Sequence, residues 1–259
     1  MYKANRHFQH RSCLSPHGFT LVEIMVAMAI GLFLIAGVYK MFIANRQSYT
    51  IQDNMSRLQD NGRFAVNQLS DIIRMAGFKA DPADSITFST GFATSALTGN
   101  DGTGAGGSDK ISVSFQAATD GTTVDCLGTA FPSTTPPAMV TNQFYIATDA
   151  NGVRNLYCSR LSPTIASGQP LVEDVANMQI SYGVDTNNDG AANFFVAAGN
   201  VADWAQVVGV RLSLLVTTPE DNITSAAQTY QYNGATVTAG DNRLYQVFTI
   251  TIALRNRLV

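Results

Sequence analysis

Histidine is confined to the first seventeen residues of this chain, as His7, His10 and His17. No histidine nucleophile triad, histidine general base or histidine-ligated zinc site is therefore available to the residues that follow. Acidic residues are missing from the other direction: none precedes Glu23, whereas Lys3, Arg6 and Arg11 do. Proline is absent between residues 19 and 77, so nothing in that stretch need break a helix. Cysteine is limited to Cys13, Cys126 and Cys158. No P-loop pattern occurs, and no small-residue cleavage site of the secretory kind follows Tyr39.

Against these absences stands one long apolar run. Residues 24–39 carry no charge, and Lys40 is followed by Met41, Phe42 and Ile43. Residues 19–43 are thus long enough to cross a bilayer as a helix, which takes about 20 residues. The basic flank before Phe19 keeps that end cytoplasmic and exports the remainder. Glu23 sits at the edge of the run, where an unpartnered carboxylate in lipid is costly. Its position asks for a partner.

Gly18 followed by Phe19, Thr20, Leu21, Val22 and Glu23 resembles the class III signal of type IV pilins and type II secretion pseudopilins. That resemblance implies cleavage after Gly18 by a membrane prepilin peptidase, N-methylation of Phe19 and retention of the apolar helix. It also implies that Glu23 pairs with the N-terminal amine of a neighbouring subunit in a filament. A buried carboxylate and a buried ammonium are each unfavourable alone and tolerable together.

Loss of the first eighteen residues removes three of the sixteen Lys and Arg and none of the nineteen acids. Thirteen bases against nineteen acids leave a formal charge of −6. Bulk attraction to nucleic acid is therefore not expected. Cys13 leaves as well, and Cys126 and Cys158 remain as an even pair in a compartment that permits disulfides. They are expected to bond, the alternative being two unconnected thiols in neighbouring strands.

The helix is expected to continue to Gly77. Met55, Leu58, Gly62, Ala65, Leu69, Ile72 and Ala76 recur at steps of three and four, with Arg57, Asp60, Arg63, Asn67, Asp71 and Arg74 off that stripe. Residues 58–65 and 72–78 resemble PilW-type minor pilins, and more distantly J-type pseudopilins. The stretches 175–185, 204–211 and 248–257 resemble PilW-type proteins again. The absence of a proline from the membrane helix, with Lys40 in that region, favours a minor subunit over a major one.

Past Pro82 the composition turns to Thr, Ser, Gly and Asn. Strands are expected at 110–115, 143–148, 153–160 and 178–184. The clearest two are 208–216, where Val208, Val210, Leu212, Leu214 and Val216 alternate with Gly209, Arg211, Ser213 and Leu215, and 248–254. Gly102, Gly104 and Gly107 match a dinucleotide-binding pattern formally, but a polar loop before them and a strand after them read as a flexible loop. Asp185, Asn187, Asp189, Ala191 and Asn193 have calcium-loop spacing with Gly190 sixth, while Val196 stands where a closing Glu belongs. A calcium site and a polar hairpin turn both remain open.

The expectation is an α+β pilin fold in which a long N-terminal helix packs on an antiparallel sheet. Its parts are a cleaved leader (1–18), a transmembrane segment (19–43), an amphipathic continuation of the helix (44–78) and a periplasmic β-rich head (79–259). No enzymatic activity and no cofactor beyond calcium are expected. The resemblance implies an inner-membrane minor pilin that joins other minor pilins and the major pilin to prime pilus assembly at the tip, in support of twitching motility. The alternatives are a J-type pseudopilin and a tip adhesin or DNA-uptake subunit with its binding surface in residues 81–170.

Overall fold

The computed structural model describes residues 18–80, 95–118, 120–131, 138–161 and 168–256. The leader up to residue 17, including Cys13, and much of the variable stretch between residues 81 and 170 lie outside the described residues.

One helix, α1 (Leu21–Arg74), runs for 54 residues. Two compact units meet within it, at Tyr49 and Thr50. In the first unit the apolar side chains from Leu21 to Ile43 stay exposed, and the most apolar window has a mean hydropathy of 2.5 with none of it buried by the chain itself. By length and composition this helix can cross a membrane.

In the second unit, the helix buries Leu58, Gly62, Ala65, Leu69, Ile73 and Ala76. Two positions of the expected stripe differ: Met55 is exposed and Ile72 is only half-buried, while Asn54 and Ile73 take the inward places. A repeat of 3.6 residues needs more steps of four than the expected pattern contained, so Met55 and Ile72 fall one residue off the contact line. The six predicted off-stripe residues are all exposed. The helix ends with tight hydrogen bonds from Met75 N to Ile72 O and Ala76 N to Ile73 O, followed by Gly77 at φ +73°. Glycine adopts that left-handed conformation without the Cβ penalty, and the Gly77 amide leaves the helix to donate to Ser114 O at 2.9 Å.

The head holds two antiparallel sheets and a separate hairpin where the expectation was one sheet. The first sheet is a meander of β1 (Leu97–Asn100), β2 (Lys110–Gln116), β3 (Met139–Thr148), β4 (Arg154–Arg160) and β5 (Gln169–Val172), in that order. The second orders β11 (Tyr245–Ala253), β8 (Val207–Thr217), β6 (Val175–Val184) and β7 (Phe194–Val196). The hairpin pairs β9 (Thr229–Tyr232) with β10 (Ala235–Thr238). Its turn is Asn233–Gly234, both at positive φ, as a two-residue turn matched to strand twist requires.

The alternation read in residues 208–216 decides which face of the second sheet is buried. Val210, Leu212, Leu214 and Val216 are fully buried with Met178, Ile180 and Tyr182 of the adjacent β6, and they share one core with Leu58, Ala65, Leu69 and Ile73 of the helix. Each such Leu or Ile contributes about 1.5–3 kcal/mol through removal from water. At Gly62 the helix comes so close to the sheet that a Cβ would overlap the Phe248 ring. The opposite face of the sheet carries Arg211, Ser213, Thr249 and Thr251 and remains polar.

Asp109 couples the two sheets. Its carboxylate accepts from Gly102 N and from Ile180 N, both at 2.8 Å, while its own amide donates to Met178 O at 2.8 Å.

Candidate functional site

At the N-terminus Gly18 and Phe19 are both exposed, Phe19 by 83%. A Cβ placed on Gly18 meets no atom within 4 Å. Among the described residues, packing therefore sets no demand for glycine here. Thr20 and Glu23 form a reciprocal cap: the Glu23 carboxylate accepts from Thr20 N and Thr20 Oγ1, and Glu23 N donates to Thr20 Oγ1, each at 3.3 Å. This is the Thr-x-x-Glu capping box, which satisfies amides that the first turn cannot pair internally. The reading of Glu23 as a carboxylate in search of a partner missed this local one, although the spacing alone signals it.

Cys126 and Cys158 are disulfide-bonded, with Cα atoms 6.3 Å apart. They are not on neighbouring strands. Cys158 lies fully buried on β4, whereas Cys126 belongs to a loop held by a bridge between Val124 and Ala130. Cys126 N also donates to Asn142 Oδ1 of β3, so the bond staples that loop to the first sheet. Beside it, Arg160 pairs with the buried Asp125 at 3.6 Å.

The glycine-rich stretch is a β1–β2 connection. A strand does precede it, contrary to expectation, but a second strand and no helix follows, and β1 pairs antiparallel with β2. Side chains tether the loop: Asn177 Nδ2 donates to Gly106 O and Gln179 Nε2 to Gly107 O, at 2.8 and 2.9 Å. No helix N-terminus is available there for a phosphate.

Residues 185–193 connect β6 to β7. The buried Asp185 accepts from Gly190 N at 2.8 Å and from Asp189 N at 3.3 Å. Asp189 accepts from Ala191 N and from Asn187 Nδ2. Gly190 takes φ +86°, the sharp turn that a sixth-position glycine supplies. Asn193 accepts instead from Thr186 N and Oγ1, and Val196 of β7 is paired with Tyr182 of β6. Among the described residues no group of three or more His, Cys, Asp or Glu side chains is arranged to hold a metal ion.

Burial displaces the protonation of two groups that lie between the sheets, Asp109 and Tyr182. Burial raises the Asp109 carboxyl above its ordinary range, against the lowering effect of the Gly102 and Ile180 amides and with added repulsion from Asp101. Burial likewise raises the Tyr182 phenol, which packs edge-on against Trp204 with ring centroids 4.8 Å apart. Both are consistent with structural positions between the sheets.

Comparison with known proteins bears on the two ends of this arrangement. Residues 15–39 match the prokaryotic N-terminal methylation motif, the stretch that contains Gly18, Phe19 and the capped helix start. Residues 143–256 match the model described as Type IV Pilus-assembly protein W, from β3 through β11. The chain is thus similar to PilW proteins over residues 143–256 and carries the methylation motif at its apolar helix. The PilW match covers the second sheet, which packs on the helix, together with β3 from residue 143, β4 and β5 of the first sheet, and does not include the helix or residues 81–142. A solved type IV-like pilin from Thermus thermophilus aligns over 78% of this chain and 99% of its own, at 12% identity and a TM-score of 0.45. No curated protein matches this chain.

Proposed function

We propose that this chain is a non-enzymatic minor pilin that joins other minor pilins and the major pilin in a complex priming type IV pilus assembly at or near the tip. The observation that carries the reading is the pairing of a methylation motif on an exposed, capped apolar helix with a PilW region built onto the same helix. In this reading a prepilin peptidase cuts after Gly18, the helix holds the protein in the inner membrane with the head in the periplasm, and Glu23 meets the amine of a neighbouring subunit during docking. Deletion of the gene tests it, with surface pili and twitching scored beside exoprotein secretion. Lost pili with intact secretion supports the minor pilin. Intact pili with lost secretion identifies a pseudopilin, and intact pili with lost adhesion or DNA uptake identifies a tip subunit.

For the 185–193 loop we propose calcium, bound by Asp185, Asn187 and Asp189 with the carbonyl of Ala191. Support comes from the gathering of these groups around the Gly190 turn.

A further inference from the structure

The polar face of the second sheet is not open. The β9–β10 hairpin is drawn over it by the Tyr232 hydroxyl, which donates to Asn177 Oδ1 at 2.9 Å and Ser213 O at 3.3 Å. Phe195 of β7 stands on the other side, in space left by Gly183, where a Cβ would come within 3.0 Å of the ring. Between them lies a groove of about 570 Å³. That volume is of the size that takes a small organic ligand.

Arg211 decides the chemistry. On β8 it is flanked by Ser181 of β6 and Thr251 of β11, and its guanidinium lies over the Phe195 ring, 4.0 Å from the centroid. Among the described residues no carboxylate pairs with it. A guanidinium stacked on an aromatic face has given up part of its freedom and keeps its planar fork of donors for a carboxylate.

A bare anion is a poor match, because Asp101 and Asp109 line the same groove. Each of them accepts from two backbone amides: Asp101 from Ala198 and Gly199, Asp109 from Gly102 and Ile180. Their remaining lone pairs suit hydroxyl donors. The floor between these acids and Arg211 offers the hydroxyls of Ser181, Ser213 and Thr249, and the backbone beneath is already paired in the β6–β8–β11 ladder. The polar groups that the groove presents are therefore side chains.

We propose that this groove binds an acidic sugar, with its carboxylate on Arg211 and its hydroxyls on Asp101, Asp109 and the Ser and Thr floor. The inference goes beyond the assembly role, and its failure leaves that role standing.

The test titrates the full-length mature protein in detergent with D-glucuronate, D-galacturonate and N-acetylneuraminate, followed by saturation-transfer NMR. D-Glucose, acetate and glycine supply the hydroxyls, the carboxylate and a zwitterion separately. At least one acidic sugar binds about tenfold or more tightly than all three controls, since charge-assisted hydrogen bonds are among the stronger ones. Arg211→Gln loses that preference with an unchanged melting temperature, while Arg243→Gln, whose arginine pairs with Asp241 elsewhere, keeps it. Absence of saturable binding by all three acids overturns the proposal. So does equal binding of acetate or glycine, or an Arg211→Gln variant that binds as well as the parent.

Discussion

Thr20 and Glu23 cap each other at the start of the apolar helix, through three hydrogen bonds of 3.3 Å. Glu23 therefore has two possible functions that chemistry can separate. The capping role needs a side-chain acceptor at this position, which glutamine also supplies, whereas pairing with an ammonium needs the charge. Glu23→Gln keeps the cap and loses the charge, and Glu23→Ala loses both. The expected outcome is that both variants are cleaved normally and that both fail to enter sheared pili. Incorporation of Glu23→Gln at the parental level assigns the residue to capping alone.

Joining Cys126 to Cys158 closes a loop of 32 residues in sequence separation. Loop entropy of this size is worth about 3–4 kcal/mol in the chain-entropy model. Replacement of both by serine is expected to lower the melting temperature of the detergent-solubilised chain by roughly 5–15 °C. The checking measurement is thermal unfolding followed by circular dichroism, and an unchanged midpoint removes the stabilising role.

The raised carboxyl of Asp109 gives the stability a pH slope. Its folded pKa lies above the unfolded value of 3.8, so the folded chain holds a proton that the unfolded chain has lost. Stability contributed by this group is present at low pH and falls as pH rises from 3.8 through the folded pKa. Asp174 is raised by burial too and adds a slope of the same sign. Asp109→Asn is expected to lose one of its two amide contacts, which lowers overall stability, while flattening the decline that sets in as pH rises above 3.8. A variant whose melting temperature falls with pH as steeply as the parent's contradicts this assignment.

Calcium at the 185–193 loop is testable by the same melts. With Asp185, Asn187 and Asp189 as ligands, millimolar calcium raises the melting temperature, magnesium does so less, and Asp189→Ala abolishes the response. Absence of both a thermal shift and binding heat reduces the loop to a polar turn.

Legibility in the sequence followed how local the cause was. The helix, β8 and β11 came directly from periodicity, because the core face repeats along each element. Two positions of the helical stripe did not, since Met55 and Ile72 lie where a small angular error becomes a whole residue. The β9–β10 hairpin was missed despite the Asn233–Gly234 signal, and the Thr20–Glu23 box despite its spacing. Both were readable. Division into two sheets was not, because it is set by long-range strand pairing, and a contact that joins the sheets, Ile180 N to Asp109, spans 71 positions of the chain. Likewise, Arg211 and Phe195 meet only through the register that sets Ser181 opposite Arg211 and Gly183 opposite Phe195.

The central claim is that the chain is processed as a pilin at Gly18. Intact-mass and N-terminal peptide measurement on the membrane fraction tests this most directly. The expected product begins at N-methylated Phe19 and retains the whole apolar helix, and Gly18→Leu accumulates uncut precursor. A mature protein that begins beyond Tyr39, or one that keeps its first eighteen residues in cells with an active prepilin peptidase, contradicts the account.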